Sequence, residues 1–371
     1  MDKGIVWWRK AATPKHAYLA LLLIVGACWP LKNILEFPPL ASRDFGTFWV
    51  SGHAIRAGID PYNVQAFKAL GDGLLGKANY NFTYPPHTLF LFLPLSYLPP
   101  LAALLVWNVA SAALLWWAAK PWLPKGMPSF VPLVVPGALI NYNYGQTGIL
   151  YSALFLMAFR PNGIAAAILT MKPQLGILVA PALLRDRRSL IVAIVATLVL
   201  IAASVVAFDN WPEFIRHARD VQGKSLVDFS HPIWLFKGTT PAIGYGLWGW
   251  AVFAMGAAFI LARNYNVFTA ATAAFLISPY GLQYDMAALC LGSAVVLYSR
   301  WEEMPALDKT CASLAFLSPV IVAYATTWAI PPILLWALLI QSKWSDGLRL
   351  RIKCRGLGFP SFSVEPTPAV P

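Results

Sequence analysis

Apolar runs recur along almost the whole of this 371-residue chain, and they constrain its fold more than any other feature. Only 12% of the residues are charged, about half the share found in an ordinary soluble domain. With 58% hydrophobic residues and 16 tryptophans, the chain is neither disordered nor an ordinary soluble enzyme. We therefore expect an all-α protein, a polytopic bundle of transmembrane helices.

A spanning helix needs roughly 17 to 25 mostly apolar residues, or fewer where proline breaks it. This criterion predicts about ten to thirteen membrane segments. The boundaries fall near 16–34, 85–98, 101–119, 128–141, 147–159, 163–183, 189–208, 240–262, 267–282, 285–299, 310–324 and 327–341. The first run follows basic residues as a signal sequence does, but Pro30-Leu31-Lys32 is a poor cleavage site, so we expect an uncleaved anchor.

Two long polar connections, about 35–84 and 209–239, separate these segments. With the N-terminus in the cytoplasm, both loops fall on the extracytoplasmic face of the plasma (inner) membrane, and much of the basic charge on short connections falls inside. Apolar positions within 49–58 and 209–219 predict a short interfacial helix in each loop. We expect one membrane domain over 1–343 and a basic, proline-containing cytoplasmic tail over 344–371.

Charge and cysteine content narrow the function. The formal net charge of +12 lies between apolar stretches, which favours topogenic charge and anionic lipid over nucleic acid. The four cysteines form no CxxC pair, so neither a zinc site nor a disulfide is indicated. The sequence contains no HExxH, no glycine-rich nucleotide loop and no GxSxG. We expect no metal and no cofactor, and an activated substrate that arrives through the membrane.

Lys172 is the clearest polar residue at membrane depth. It lies midway along the segment 163–183, and Pro173 removes a backbone hydrogen bond there and opens the helix locally. One interpretation is a cation that holds a lipid phosphate. The alternative is a lysine that extends to the interface or pairs with a buried carboxylate.

Two aspartates stand next to membrane segments. Asp44 follows the first segment among aromatic residues, beside Arg43, where partial burial would make it a base for an alcohol. Its alternative is a helix N-cap. Asp285 lies where two segments meet on the outer face, and it is either a second site carboxylate or a helix cap.

Other polar positions are less specific. The turn 141–146 joins two apolar segments, and the alternation of segments places it on the inner side unless it re-enters the membrane. His87 and His231 are lone histidines, each either structural or catalytic.

An ordered series of short motifs runs from about residue 42 to residue 286. The motifs are Arg43-Asp44-Phe45, Gly58-Ile59-Asp60-Pro61-Tyr62, Phe82-Thr83-Tyr84-Pro85-Pro86 with Pro94-Leu95, Gly145-Gln146, Met171-Lys172-Pro173 and Ser278-Pro279. In this order and spacing they resemble glycosyltransferase family 87. These are polytopic enzymes of the GT-C class, and they include polyprenol-phosphate-mannose-dependent mannosyltransferases.

The resemblance implies a polyprenyl-phosphate-sugar donor, a lipid or glycan acceptor, an outward-facing active site and inversion at the anomeric carbon. It makes Asp44 the general base, while Lys172, with Arg43 or Arg56, would offset the phosphate charge. The family often carries a histidine after its late Ser-Pro motif, and this chain offers Tyr284 or Asp285 there. The other candidate substrate-binding positions are Asp60, Tyr62, Tyr84, His87 and Gln146.

A transporter or lipid-linked-sugar flippase is the rival interpretation, with Lys172 and Asp285 along a substrate path. Transporters usually show inverted repeats and paired broken segments, and neither is visible in this sequence. A membrane scaffold without chemistry would not explain Lys172 beside Pro173.

Overall fold

The structure is a computed structural model that describes residues 13–36, 38–219, 242–278, 281–324 and 329–345. Its regular structure is helical. The longer helices are α1 (Pro14–Leu35), α2 (Asp44–Arg56), α3 (Val64–Leu75), α4 (Pro100–Ala119), α5 (Pro136–Tyr144), α6 (Gly148–Ala158), α7 (Gly163–Ile168), α8 (Arg187–Phe208), α9 (Trp211–His217), α10 (Ala242–Arg263), α11 (Val267–Ile277), α12 (Ala287–Ser299), α13 (Ala306–Tyr324) and α14 (Ile330–Trp344). Shorter helical turns are Leu40–Ser42, Pro86–Thr88, Leu89–Phe92, Pro94–Tyr97, Lys120–Trp122, Val131–Val134, Leu169–Met171, Pro173–Gly176, Ile177–Val179, Ala180–Leu183 and Gln283–Asp285.

Several helices have the length and composition of membrane spans. Within the described ranges, three are long and apolar enough to cross a bilayer: α1, α4 with the turn after it, and α8. Five shorter apolar helices accompany them: Gly148–Ala158, Pro173–Leu183, Trp248–Arg263, Val267–Ile277 and Ala287–Ser299. The expected all-α polytopic bundle is confirmed, and the exact number of crossings stays a prediction.

Prolines divide two of the expected segments. Residues 85–98 form three successive short turns instead of one span, because Pro86 and Pro94 lack the N–H that a continuous helix needs. Residues 163–183 are interrupted at Lys172, whose φ and ψ of −132° and 68° are not helical. The local opening expected beside Pro173 is therefore present.

The first long loop folds around its own aromatic core. Phe45, Phe48, Phe67, Phe82 and Phe92 are each at most 2% exposed and pack together against the start of α4. The short helix expected at 49–58 is present as α2, but most of its residues are buried in this core, so α2 is not a helix that lies on an interface. The aromatic residues of the loop supply enough apolar surface to enclose it.

The second long loop begins with α9, which confirms the short helix expected in 209–219. It packs on the first loop: the Asn210 amide donates to the Asp60 carboxylate at 3.2 Å, and the rings of Tyr62 and Phe214 lie 5.5 Å apart. The rest of that loop, His231 and most of the predicted tail (346–371) lie outside the described residues.

Candidate active site

A buried ion pair joins two distant parts of the chain. The Lys172 ammonium donates to Asp285 Oδ1 at 2.5 Å, and the two side chains are 8% and 2% exposed. Lys172 lies at the break before Pro173, while Asp285 ends the turn Gln283–Asp285. Of the alternatives for Lys172, pairing with a buried carboxylate is present. Asp285 is not the helix cap considered above, because Met286 is the N-cap residue of α12.

Tyrosine rings enclose the ammonium of this pair. It lies 5.7 Å from the ring centroid of Tyr84 and 5.3 Å from that of Tyr284, within the range of a cation–π contact. Lys172 also hydrogen-bonds the Tyr84 side chain. Tyr284 in turn packs near Tyr144 at the end of α5, with ring centroids 6.2 Å apart. The pair is therefore held in an aromatic pocket with little water.

Gln146 connects the pocket to the first loop. The Tyr84 hydroxyl donates to Gln146 Oε1 at 3.1 Å and lies 2.8 Å from the Thr147 hydroxyl. Trp107 on α4 donates its indole N–H to the Gln146 carbonyl at 3.2 Å. These contacts place the Gln146 side chain between Tyr84 and Asp44, the first residue of α2.

Asp44 lies partly buried at the start of α2. Arg43 occupies the N-cap position before it, so Asp44 is not the N-cap residue considered above. Burial raises the pKa of the Asp44 carboxyl, Gln146 and Lys172 lower it, and Asp285 raises it again. These opposing effects show that Asp44, Gln146, Lys172 and Asp285 share one electrostatic environment. A carboxylate with raised basicity in such a place can take a proton from an alcohol.

Three glycines allow the close approaches on which the site depends. Gly145 has a φ of +63°, and a Cβ there would lie 2.6 Å from the Cβ of Phe45, beside Asp44. A Cβ on Gly148 would lie 2.0 Å from the carbonyl oxygen of Tyr284, and one on Gly137 2.7 Å from the Ala287 nitrogen. Any larger residue would push α5 or α6 away from the segment that carries Asp285.

The turn 141–146 lies on the same side as the first long loop, so its expected inner position is wrong. Gly145 touches Phe45, and the Asn141 amide lies 3.3 Å from the carbonyl of Tyr284. The reason is the broken segment 85–98. Because these residues do not cross as one helix, one fewer crossing precedes the turn.

The two arginines predicted as helpers are engaged elsewhere. Arg43 is 7% exposed, and its Nε donates to the Pro38 carbonyl at 3.1 Å. Arg56 lies at the opposite end of α2 from Asp44, about 18 Å along the helix axis. Its guanidinium donates to the Ser96 carbonyl at 2.7 Å and stacks on Tyr97. The structure thus brings Arg43 beside Asp44 in the chain and leaves Arg56 remote.

Asp60, Tyr62 and His87 surround the site without entering the ion pair. Asp60 Oδ1 accepts from the backbone N–H of Tyr62 at 3.1 Å, and the Tyr62 hydroxyl donates to the Tyr84 carbonyl at 2.6 Å. His87 Nε2 lies 3.1 Å from the hydroxyl of Thr170, two residues before Lys172, and its ring stacks on Trp211. These residues support Tyr84 and Lys172 from behind.

Sequence reasoning missed Thr147, Trp107 and Thr170, which bind Tyr84, Gln146 and His87. Thr147 comes directly after the Gly145-Gln146 motif, and Thr170 precedes Met171-Lys172, so both stood within reach of a signal. Trp107 lies on an apolar helix, and nothing in its surroundings distinguishes it from a core tryptophan.

No group of three or more His, Cys, Asp or Glu side chains that could hold a metal occurs among the described residues. The expectation that the reaction needs no metal stays a prediction.

Comparison with known proteins agrees with the geometry. The family model of glycosyltransferase family 87 matches residues 82–316, more than half of the chain. This range includes Tyr84, Gln146, Lys172 and Asp285, while Asp44 precedes it. Neither a curated protein nor a solved structure matches the chain. The chain belongs to glycosyltransferase family 87 and is a membrane glycosyltransferase.

Proposed function

We propose that this protein transfers mannose from a polyprenyl-phosphate donor to a hydroxyl of a lipid or glycan acceptor outside the cytoplasm. The observation that carries the proposal is the convergence of a partly buried carboxylate, Asp44, with the buried cation Lys172 through Tyr84 and Gln146. A transferase that uses a lipid phosphate donor needs a base for the acceptor and a positive charge for the leaving phosphate.

In this proposal Asp44 takes the proton of the acceptor hydroxyl as its oxygen attacks the anomeric carbon. The bond from that carbon to the phosphate oxygen breaks, and polyprenyl phosphate leaves with the bonding electrons. Attack on the face opposite the phosphate inverts the anomeric configuration. No covalent enzyme intermediate is needed, since one carboxylate performs the proton transfer.

Lys172 would offset the negative charge that grows on the departing phosphate. Its ammonium is already paired with Asp285, so the phosphate must share or replace that carboxylate. Arg43 and Arg56 are weaker candidates than the sequence indicated, because both guanidinium groups bind backbone carbonyls. Tyr284, Tyr84 and His87 are the candidate contacts to the sugar, and anchoring the lipid tail in the bundle would position the donor.

Family membership favours the transferase over the transporter. The proposal places the site on the extracytoplasmic face of the plasma (inner) membrane, because Asp44, the turn 141–146 and Asp285 all lie with the first long loop.

The first experiment uses purified protein in nanodiscs with radiolabelled polyprenyl-phosphate-mannose and a crude lipid extract from the source organism. Label that appears in a new lipid or glycan supports the proposal and identifies the acceptor. If only another polyprenyl-phosphate sugar serves, the donor class holds and mannose is wrong. If no such donor is bound or consumed, the proposal fails.

A Lys172→Met variant tests the phosphate assignment in the same nanodiscs. Donor affinity should fall by at least about tenfold, which corresponds to about 1.4 kcal/mol. Unchanged donor affinity in a folded variant would contradict the assignment.

A further inference from the structure

The side chain of Gln146 is held in one orientation. It is 7% exposed, and its Oε1 accepts from the Thr147 backbone N–H at 3.2 Å and from the Tyr84 hydroxyl at 3.1 Å. A backbone N–H can only donate, so the atom that faces it is the amide oxygen and not the nitrogen. The Trp107 indole fixes the backbone of the same residue.

The fixed oxygen determines what the amide nitrogen can do. With Oε1 occupied on two sides, the Nε2 group points away from Thr147 and Tyr84, and it carries two hydrogens and no lone pair to offer. Gln146 and the Asp44 carboxylate interact directly, and the interaction favours the charged form of the carboxylate. Gln146 therefore acts as a donor to Asp44, and its oxygen is not available to a sugar hydroxyl.

We propose that Gln146 and Tyr84 are positioning residues for the base, in which Tyr84 fixes the Gln146 amide and the amide donates to the ionised Asp44 carboxylate. This role differs from the substrate contacts expected for both residues, and it rests on the proposed function of Asp44. Tyr84 also bonds Lys172, so one connected series of polar groups runs from Asp285 through Lys172, Tyr84 and Gln146 to Asp44.

The proton positions along this series are consistent. The Tyr84 hydroxyl has one hydrogen, which goes to Gln146 Oε1, and its oxygen accepts from Lys172 or from the hydroxyl of Thr147. The Lys172 ammonium has three hydrogens, enough for both Asp285 and Tyr84. A positive charge at Lys172 thus strengthens the Tyr84 donor, and through it the hold on Gln146.

The test is a pH titration of the Asp44 carboxyl in nanodiscs, independent of any substrate. The infrared band of a protonated carboxyl is monitored with pH, and the part absent from Asp44→Asn is assigned to Asp44. Gln146→Leu should move the midpoint up by about one pH unit, the size expected for loss of a hydrogen bond to a charged group. Tyr84→Phe should move it up by less.

Two comparisons make the result specific. The double variant of Tyr84→Phe with Gln146→Leu should shift the midpoint no further than Gln146→Leu alone, because Tyr84 acts through Gln146. Tyr80→Phe removes a phenol hydroxyl from another buried ring of the first loop, one that bonds the Gly76 carbonyl, and it should leave the midpoint unchanged.

A midpoint that stays in place in Gln146→Leu, or shifts that add in the double variant, would overturn the inference. If the leucine variant does not fold, Gln146→Glu keeps the shape and should raise the midpoint further through like charge. Should Asp44→Asn transfer sugar normally, the proposed function fails, and the infrared midpoint still decides whether Gln146 and Tyr84 control this carboxyl.

Discussion

The ion pair between Lys172 and Asp285 makes a quantitative prediction about stability. Its side chains are 8% and 2% exposed, so solvent screens it little. Removing one partner of such a pair leaves an unpaired charge in a dry site and costs about 3 to 5 kcal/mol. Asp285→Asn keeps the shape of the side chain and removes only its charge, so we expect a loss of that size in the free energy of unfolding.

Removing both charges should be far less costly than removing one. In the double variant of Lys172→Met with Asp285→Asn no ion remains to be desolvated, and we expect most of the lost stability to return. The two single changes should therefore be strongly non-additive. The matched control is Glu303→Gln, which breaks an exposed pair with Arg300 at 3.1 Å and should cost less than about 1 kcal/mol.

The assay is reversible unfolding in mixed micelles with increasing denaturing detergent, monitored by the fluorescence of the 16 tryptophans. All four variants are compared with the unchanged protein under one set of conditions. The reasoning is refuted if Asp285→Asn costs no more than Glu303→Gln, or if the two single losses simply add in the double variant.

The site makes three further predictions. Burial raises the pKa of Asp44, and a base works only when ionised, so transfer measured against pH should decline on acidification at a higher pH than an exposed aspartate, whose pKa is about 4, would give. Gly148→Ala should abolish transfer and lower thermal stability because its Cβ would meet the Tyr284 carbonyl, whereas Gly73→Ala on α3, with open space around it, should leave both intact. Asn210→Ala removes the bond to Asp60 and should cost about 0.5 to 1.5 kcal/mol, with faster proteolysis in the second loop; an unchanged rate would show that this bond does not hold the two loops together.

Local pattern was enough to predict the class of fold and the positions of several site residues. Apolar runs predicted α1, α4 and α8, since each is one uninterrupted helix whose length is set by bilayer thickness. The break beside Pro173 was also predictable, because proline acts on its own helix. Asp44 and Lys172 stood out as charges near or inside apolar sequence.

Long-range pairing was not predictable in the same way. Lys172 and Asp285 are 113 residues apart, and no local pattern indicates which buried carboxylate meets which cation. The turn 141–146 was placed on the wrong side because one misjudged segment, 85–98, reverses the side assigned to the next connections in the chain. The orientation of Gln146 depends on Tyr84 and Thr147 together, so only the folded chain reveals it.

The central claim is that Asp44 is the base of a lipid-phosphate-dependent glycosyl transfer. The most direct test measures donor binding and sugar transfer side by side for the unchanged protein and Asp44→Asn, with labelled polyprenyl-phosphate-mannose in nanodiscs. We predict donor affinity within a few-fold of the unchanged protein and a loss of transfer of about 10²- to 10⁴-fold, the usual contribution of general-base catalysis. Transfer by Asp44→Asn at close to the unchanged rate would contradict the account.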